Sequence, residues 1–216
     1  MTAPRPSVAP TIAEILRLSP VIPVLTFEDP DTAVEASRAL VRGGLRVLEV
    51  TLRTPAALAA LARIARDVPD AVVGAGTVLR PAQYAEAEAA GAMFCVSPGF
   101  TPALLDAAAR SEVPFLPGAS SAAESMTLLD AGYAAQKFFP AEPAGGTAML
   151  KALAAPLPAI TFCPTGGIDL AKARGYLDLP NVACVGGSWL TPADAMASAD
   201  WDRIERLARE AASLRA

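Results

Sequence analysis

Eight short apolar runs recur along the chain, separated by longer stretches that carry apolar residues at helical spacing. The runs are VIPVLT (21–26), RVLEVT (46–51), AVVGAG (71–76), MFCVS (93–97), PFLP (114–117), QKFFP (136–140), ITFCP (160–164) and VACVGG (182–187). The intervening segments, such as DPDTAVEASRALVRGG and TPALLDAAARSE, open on Asp, Thr or Pro, as helices do. Several end on a glycine, Gly43, Gly91 and Gly132, a residue helix C-termini prefer. Eight β/α units of roughly 20–25 residues predict an α/β fold of the (β/α)8 TIM-barrel type. A short N-terminal helix over 11–18 is expected to cap the barrel bottom, and one amphipathic helix over 192–213 to close the ring. An open doubly wound sheet shares the alternation, but the first strand runs into FEDPD with no GxGxxG, which favours the barrel. No linker or low-complexity tract divides the chain, so residues 1–216 are expected to form one domain.

Composition narrows the chemistry. A chain of 216 residues suffices for one substantial core, and 53% apolar with 6% aromatic residues suits Ala- and Leu-rich helices on aliphatic strands. The net charge of −4 gives no reason to expect a nucleic-acid or anionic-membrane partner. MTAPRPSVAP has no apolar signal-peptide region, and no uncharged run is long enough to span a bilayer. Cys95, Cys163 and Cys184 are an odd number in apolar surroundings and are expected to be reduced core thiols of a cytoplasmic protein. The chain contains no histidine. That excludes Ser-His-Asp and Cys-His catalysis, HExxH sites and a His-ligated catalytic metal. Lys, Glu, Asp, Arg, Tyr, hydroxyls and backbone dipoles remain.

Barrel enzymes carry their chemistry at the C-terminal ends of the strands. Those ends hold Glu49, Arg53, Thr77, the Ser97-Pro98-Gly99 turn, Lys137, Thr165-Gly166-Gly167 and Gly186-Gly187-Ser188. The chain has three lysines. Lys151 and Lys172 fall on polar helix faces and read as solvated side chains, whereas Lys137 lies in QKFFP among apolar residues. Desolvation and a nearby cation lower an amine's pKa, and a neutral amine attacks carbonyl carbon. The competing reading is a buried stem with its head at the rim. Strand alternation puts Val47, Glu49 and Thr51 on one face, so a carboxylate enters the interior, as an ion-pair partner of Lys137, a general acid/base, or both. Arg53 could fork onto a substrate carboxylate, with Thr77 adding a hydroxyl. TGG (165–167) and GGS (186–188) precede helix starts, where exposed amides hold phosphate, although tight turns alone also call for glycine. Together these groups suit a carbonyl substrate with a carboxylate at one end and a phosphate at the other.

The motifs VIPVLT, GGLRVLEVTLRT, VGAGTVL, VSPGFT, KFFPAE, FCPTGGI and VGGSWL, in this order over roughly residues 12–213, resemble those of the KDPG/KHG aldolase family. The resemblance implies a class I aldolase that cleaves 2-keto-3-deoxy-6-phosphogluconate to pyruvate and glyceraldehyde 3-phosphate, in some members also 4-hydroxy-2-oxoglutarate. It implies that Lys137 forms the Schiff base and Glu49 is the general acid/base. Arg53 and Thr77 would hold the pyruvate carboxylate, and Pro98 and Phe139 would line that pocket. Thr165 would sit at the aldehyde end, where stereochemistry is decided, and Gly166, Gly167 and Ser188 would bind phosphate. No metal or cofactor is implied, and a homotrimer is. The alternatives are an aldolase for the galactonate epimer, a phosphosugar isomerase, or a phosphosugar-binding protein without covalent chemistry.

Overall fold

A computed structural model describes residues 10–215. The reading of the first residues as lacking a signal peptide falls largely outside that range. A six-residue helix α1 (Ile12–Arg17) leads in, closed by a reciprocal cap between Thr11 and Glu14. Strands and helices then alternate: β1 (Val21–Leu25), α2 (Pro30–Arg42), β2 (Val47–Thr51), α3 (Ala57–Asp67), β3 (Val72–Gly76), α4 (Pro81–Ala89), β4 (Cys95–Val96) and α5 (Pro102–Ala109). There follow β5 (Phe115–Leu116), β6 (Gly118–Ala119), α6 (Ala122–Asp130), β7 (Ala135–Phe138), α7 (Gly146–Ala154), β8 (Thr161–Pro164), α8 (Leu170–Leu177), β9 (Val185–Gly187), α9 (Ala193–Ala197) and α10 (Trp201–Ala212). Asp29, Thr101, Ser121, Asp169 and Asp200 each accept a hydrogen bond from an amide in the first turn of the helix that follows. These caps satisfy donors that a helix N-terminus leaves open, which is why the helices begin there.

The result is a mixed α/β fold with a parallel half-barrel. One arc has the order β5-β4-β3-β2-β1-β9 and a second the order β6-β7-β8, with parallel pairing throughout. The chain itself joins the arcs at Pro117, whose carbonyl accepts from Lys137 N–H at 2.8 Å. Single bridges, Phe162 to Val182 and Thr165 to Gly186, connect β8 to the segment ending in β9.

Three expectations are corrected. The run at 114–117 shortens to Phe115–Leu116, which pairs with β4; Pro117 has no N–H to carry that ladder further, and an unexpected two-residue strand, β6, follows it and pairs with β7. The runs at 93–97 and 182–187 shorten to Cys95–Val96 and Val185–Gly187. The terminal helix is two helices, because Asp200 caps α10 by accepting from Arg203 N–H at 3.0 Å and Ala199, at φ 53°, turns the chain out of the helical path. At the end of α2, Gly43 is right-handed and Gly44 takes the left-handed conformation. Gly43 ends α2 as its type suggests, and it is also a close approach: a Cβ there would lie 2.4 Å from that of Ala208 on α10.

Two layers of side chains result. Leu48 and Val50 point outward into the large cluster between strands and helices. Val47 points inward with Ile22, Val72, Phe94, Val96, Leu116, Ala135, Cys163 and Cys184, and Ile15 and Leu16 of α1 pack into the same inner cluster. All three cysteines are buried, with Cys184 Sγ 3.5 Å from Cys163 Sγ. The inner positions next along the strands are Glu49 on β2 and Lys137 on β7.

Candidate active site

Glu49 and Lys137 occupy the inner face for the same reason. Each lies two residues beyond an inner-cluster residue, Val47 or Ala135, and side chains repeat on one face of a strand every second residue. Lys137 Nζ donates to Glu49 Oε1 at 3.2 Å, and the two side chains are 4% and 5% exposed. Enclosing both charges carries a large desolvation cost that their contact offsets only in part. Neighbouring glycines make the space. A Cβ on Gly76 would stand 2.2 Å from Glu49 Oε1, and one on Gly74, a step deeper, 2.5 Å from the Phe94 ring. The ammonium also lies 5.3 Å from the centre of the Phe139 ring.

Above the pair opens a cavity of about 150 Å³, lined by Val24, Thr26, Arg53, Phe139, Thr165, Gly166, Gly167, Ile168, Gly186, Gly187 and Ser188. Its walls are the carboxyl ends of β1 and β9 with the segments that follow β1, β2, β7, β8 and β9. Exposed Arg53 donates from Nε to Thr77 Oγ1 at 3.0 Å. Thr77 has φ 59°, a conformation that costs a β-branched residue about 1–3 kcal/mol. Thr165 is 6% exposed, and its hydroxyl has no hydrogen-bond partner among the described residues. A Cβ on Gly186 would come within 2.2 Å of that hydroxyl, so this glycine leaves it room. Gly166 and Gly167 are left-handed, at φ 108° and 78°, which folds the turn after β8 back over the loop after β7.

Of the residues singled out in the sequence, Arg53, Phe139, Thr165, Gly166, Gly167 and Ser188 share the cavity wall. Lys137 and Glu49 lie buried beneath it, and Thr77 is tied in through Arg53. Pro98 is half-buried and does not line this cavity. Its carbonyl oxygen stands where a Cβ on Gly118 would come within 2.3 Å, and Gly118 is the register partner of Lys137.

Sequence reasoning missed Val24 and Thr26 in the wall, though both belong to the first predicted strand and its end. It also misread Lys172. That side chain is not simply solvated: Nζ donates to Glu142 Oε2 at 2.7 Å and to Gly167 O at 3.1 Å. Tyr176 OH donates to the other oxygen of Glu142. These bonds hold the Glu142 carboxyl below its ordinary value, Lys172 foremost and then Tyr176. Burial, reinforced by Glu142, pushes the Tyr176 phenol up. The available signal was position: Lys172 falls in the first turn of the helix that Asp169 caps, directly after TGG. Among the described residues no group of three or more Cys, Asp and Glu side chains is arranged to hold a metal ion.

An amine and a carboxylate buried together at the carboxyl end of a parallel sheet, under a cavity rimmed by a guanidinium and glycine turns, define an α/β enzyme equipped for carbonyl chemistry. The chain belongs to the KDPG and KHG aldolase family, whose model matches residues 12–207. It is 53% identical over 198 residues to a 2-dehydro-3-deoxy-phosphogluconate aldolase of Pseudoalteromonas atlantica, covering 92% of each chain. It is 53% identical over 197 residues to the KHG/KDPG aldolase of Escherichia coli K12, covering 91% of this chain and 92% of that one. The KDPG aldolase of Legionella pneumophila, in a crystal structure with pyruvate captured at low pH as a covalent carbinolamine intermediate, superposes with a TM-score of 0.91. That protein is 46% identical, with 93% of this chain and 97% of the other covered.

Proposed function

We propose that the protein is a class I aldolase that cleaves 2-keto-3-deoxy-6-phosphogluconate to pyruvate and glyceraldehyde 3-phosphate through an imine on Lys137. The observation that carries this reading is the buried Lys137–Glu49 pair at 3.2 Å, beneath a cavity that reaches the surface. Glu49 takes a proton from the lysine ammonium, and the neutral amine attacks C2 of the keto acid. The carbinolamine loses water, with Glu49 carrying protons, and leaves a protonated imine. Glu49 then accepts the C4 hydroxyl proton, the C3–C4 bond breaks, and its electron pair moves through C3 onto the iminium nitrogen. The aldehyde departs. Protonation of the enamine at C3 gives the pyruvate imine, and water releases pyruvate and regenerates Lys137.

Arg53 and Thr77 hold the substrate carboxylate, with Phe139 and Pro98 bounding the pyruvate pocket. The Arg53–Thr77 bond supports this role, because it leaves the rest of the guanidinium fork and the threonine hydroxyl proton for a ligand. Thr165 meets the aldehyde end, supported by its partnerless hydroxyl. Gly166, Gly167 and Ser188 receive the phosphate, supported by their shared place in the cavity wall. The name of the Escherichia coli relative supports 4-hydroxy-2-oxoglutarate as a further substrate. The readings as an aldolase for the galactonate epimer, an isomerase or a non-covalent binding protein are set aside.

In the same reading the two arcs are one (β/α)8 barrel forming a single domain, with β5 and β6 together as its fifth stave, supported by chain continuity through Pro117 and by the bridges beyond β8. We read the protein as a cytoplasmic homotrimer. No described helix is long and apolar enough to cross a membrane; light scattering at three times the chain mass would support the trimer. The decisive experiment is borohydride reduction with pyruvate, followed by peptide mass mapping. A pyruvyl adduct on Lys137, with Lys151 and Lys172 unmodified, is the expected result. No adduct in folded protein that still binds pyruvate would overturn the mechanism.

A further inference from the structure

The turn after β8 is held from behind. Ala141 N–H donates to Thr165 O at 2.8 Å, Glu142 N–H to Gly166 O at 3.1 Å, and Lys172 Nζ to Gly167 O at 3.1 Å. In a trans peptide the N–H points opposite to the C=O. Pinning the Gly166 and Gly167 carbonyls therefore turns the next two amides, Gly167 N–H and Ile168 N–H, the other way. That is the side of the cavity, whose wall these residues form and to which Glu142 and Lys172 do not contribute. Neither amide donates to an acceptor among the described residues. Successive amides that converge in this way form an anion-binding concavity.

The support is a three-residue network rather than one contact. Lys172 and Tyr176 stand one turn apart on α8 and grip opposite oxygens of Glu142. Glu142 in turn packs on the turn, since a Cβ on Gly167 would come within 2.8 Å of its Cγ. The Lys172 charge is taken up by Glu142 on the outer side of the turn, so its contribution to an anion in the cavity runs through the orientation of the peptide.

We infer that Glu142, Lys172 and Tyr176 are positioning residues that fix the Gly167 and Ile168 amides for the phosphate end of the substrate without touching it. This rests on the reading of the glycine turn as the phosphate site. It separates two functions of the cavity: imine formation depends on Lys137 and Glu49, and grip on phosphate depends on the brace.

The test uses Lys172→Met, a replacement at a side chain that is 47% exposed, so the variant should fold with at most a modest loss of stability. Tyr176→Phe serves as a second variant and Lys172→Arg as the conservative replacement. Three readouts are compared: KM and kcat for the phosphorylated keto acid, competitive inhibition by inorganic phosphate, and borohydride trapping of pyruvate, which carries no phosphate. Loss of a hydrogen bond to a charged group should raise KM and the phosphate inhibition constant about tenfold in Lys172→Met. Tyr176→Phe should move both in the same direction, and Lys172→Arg should recover much of the loss. Pyruvate trapping on Lys137 should be unchanged in all three. Phosphate inhibition equal in wild type and Lys172→Met would overturn the brace and leave the phosphate site standing. Failure of phosphate to compete in the wild type would overturn the reading of the turn and the brace with it.

Discussion

Gly76 leaves the space that the Glu49 carboxylate occupies, and replacing it by alanine tests the proposed role of that geometry directly. The residue ends β3 opposite Thr51, and its φ lies outside the left-handed range, so alanine fits the backbone. The added methyl would lie 2.2 Å from Glu49 Oε1, 2.6 Å from Cγ and 2.7 Å from Cδ. Ordinary van der Waals contact begins near 3.4 Å, so the carboxylate must move by about 1.2 Å. Glu49 is 4% exposed and cannot swing into solvent, so the movement falls on its 3.2 Å contact with Lys137. A misplacement of about 1 Å costs about 10²-fold in rate, and overpacking of this kind costs about 1–3 kcal/mol of stability. Gly76→Ala should therefore fold, with a modestly lowered urea midpoint, and lose about a hundredfold in kcat, measured as pyruvate release coupled to NADH oxidation. Gly74→Ala is the control, because its methyl would strike the Phe94 ring at 2.5 Å, below the carboxylate. It should lose comparable stability and far less turnover. Full kcat in folded Gly76→Ala would refute the claim that the Glu49 position governs the rate.

Other outcomes follow from the same geometry. Glu49→Gln keeps the shape and removes the proposed base, so kcat should fall by about 10²–10⁴ with KM little changed; an unchanged kcat in steady-state kinetics would reject the acid/base role. Burial pushes the Cys95 thiol up to about 12, so iodoacetamide at mildly alkaline pH should label it only after denaturation, and mass spectrometry finding it labelled in folded protein would contradict the burial. Glu142 is held below its ordinary value of 4.5, chiefly by Lys172 and then by Tyr176. A depressed carboxyl contributes stability above that ordinary value and loses it as pH falls through the folded value. The difference in urea midpoint between wild type and Glu142→Gln should therefore be full at neutral pH and shrink on acidification below 4.5; a difference that grows there would reverse the sign of the argument.

Much of the architecture was legible because its signals are local. The β/α alternation reads from apolar runs and from Asp, Ser or Thr at the helix starts, and the cap bonds at Asp29, Thr101 and Asp169 are made within three residues. Where reading failed, a second local rule competed with the first. Pro117 ends the apolar run at 114–117, and nothing in the residue types of Gly118–Ala119 marks the short strand that follows it. Asp200 starts a new helix inside a stretch whose amphipathic pattern continues across it. Gly43 does end α2, but only the folded chain shows that its smallness also serves the contact with α10. Lys172 sits on a helix face that reads as polar, and only the folded turn after β8 brings Gly167 O and Glu142 to it.

By itself the sequence determined which faces of each strand are apolar, that one lysine and one glutamate sit at strand positions surrounded by such residues, and that imidazole takes no part. Those properties depend on residue type and on the two-residue period of a strand. Only the tertiary structure decided that Lys137 and Glu49, 88 residues apart, meet at 3.2 Å, that Gly76 leaves room for the carboxylate, and that the Gly166 and Gly167 carbonyls are pinned by Glu142 and Lys172. Each of these depends on register between distant strands or on which carbonyls in a turn are pinned by residues from another element. Neither is encoded in the spacing of residues along one segment.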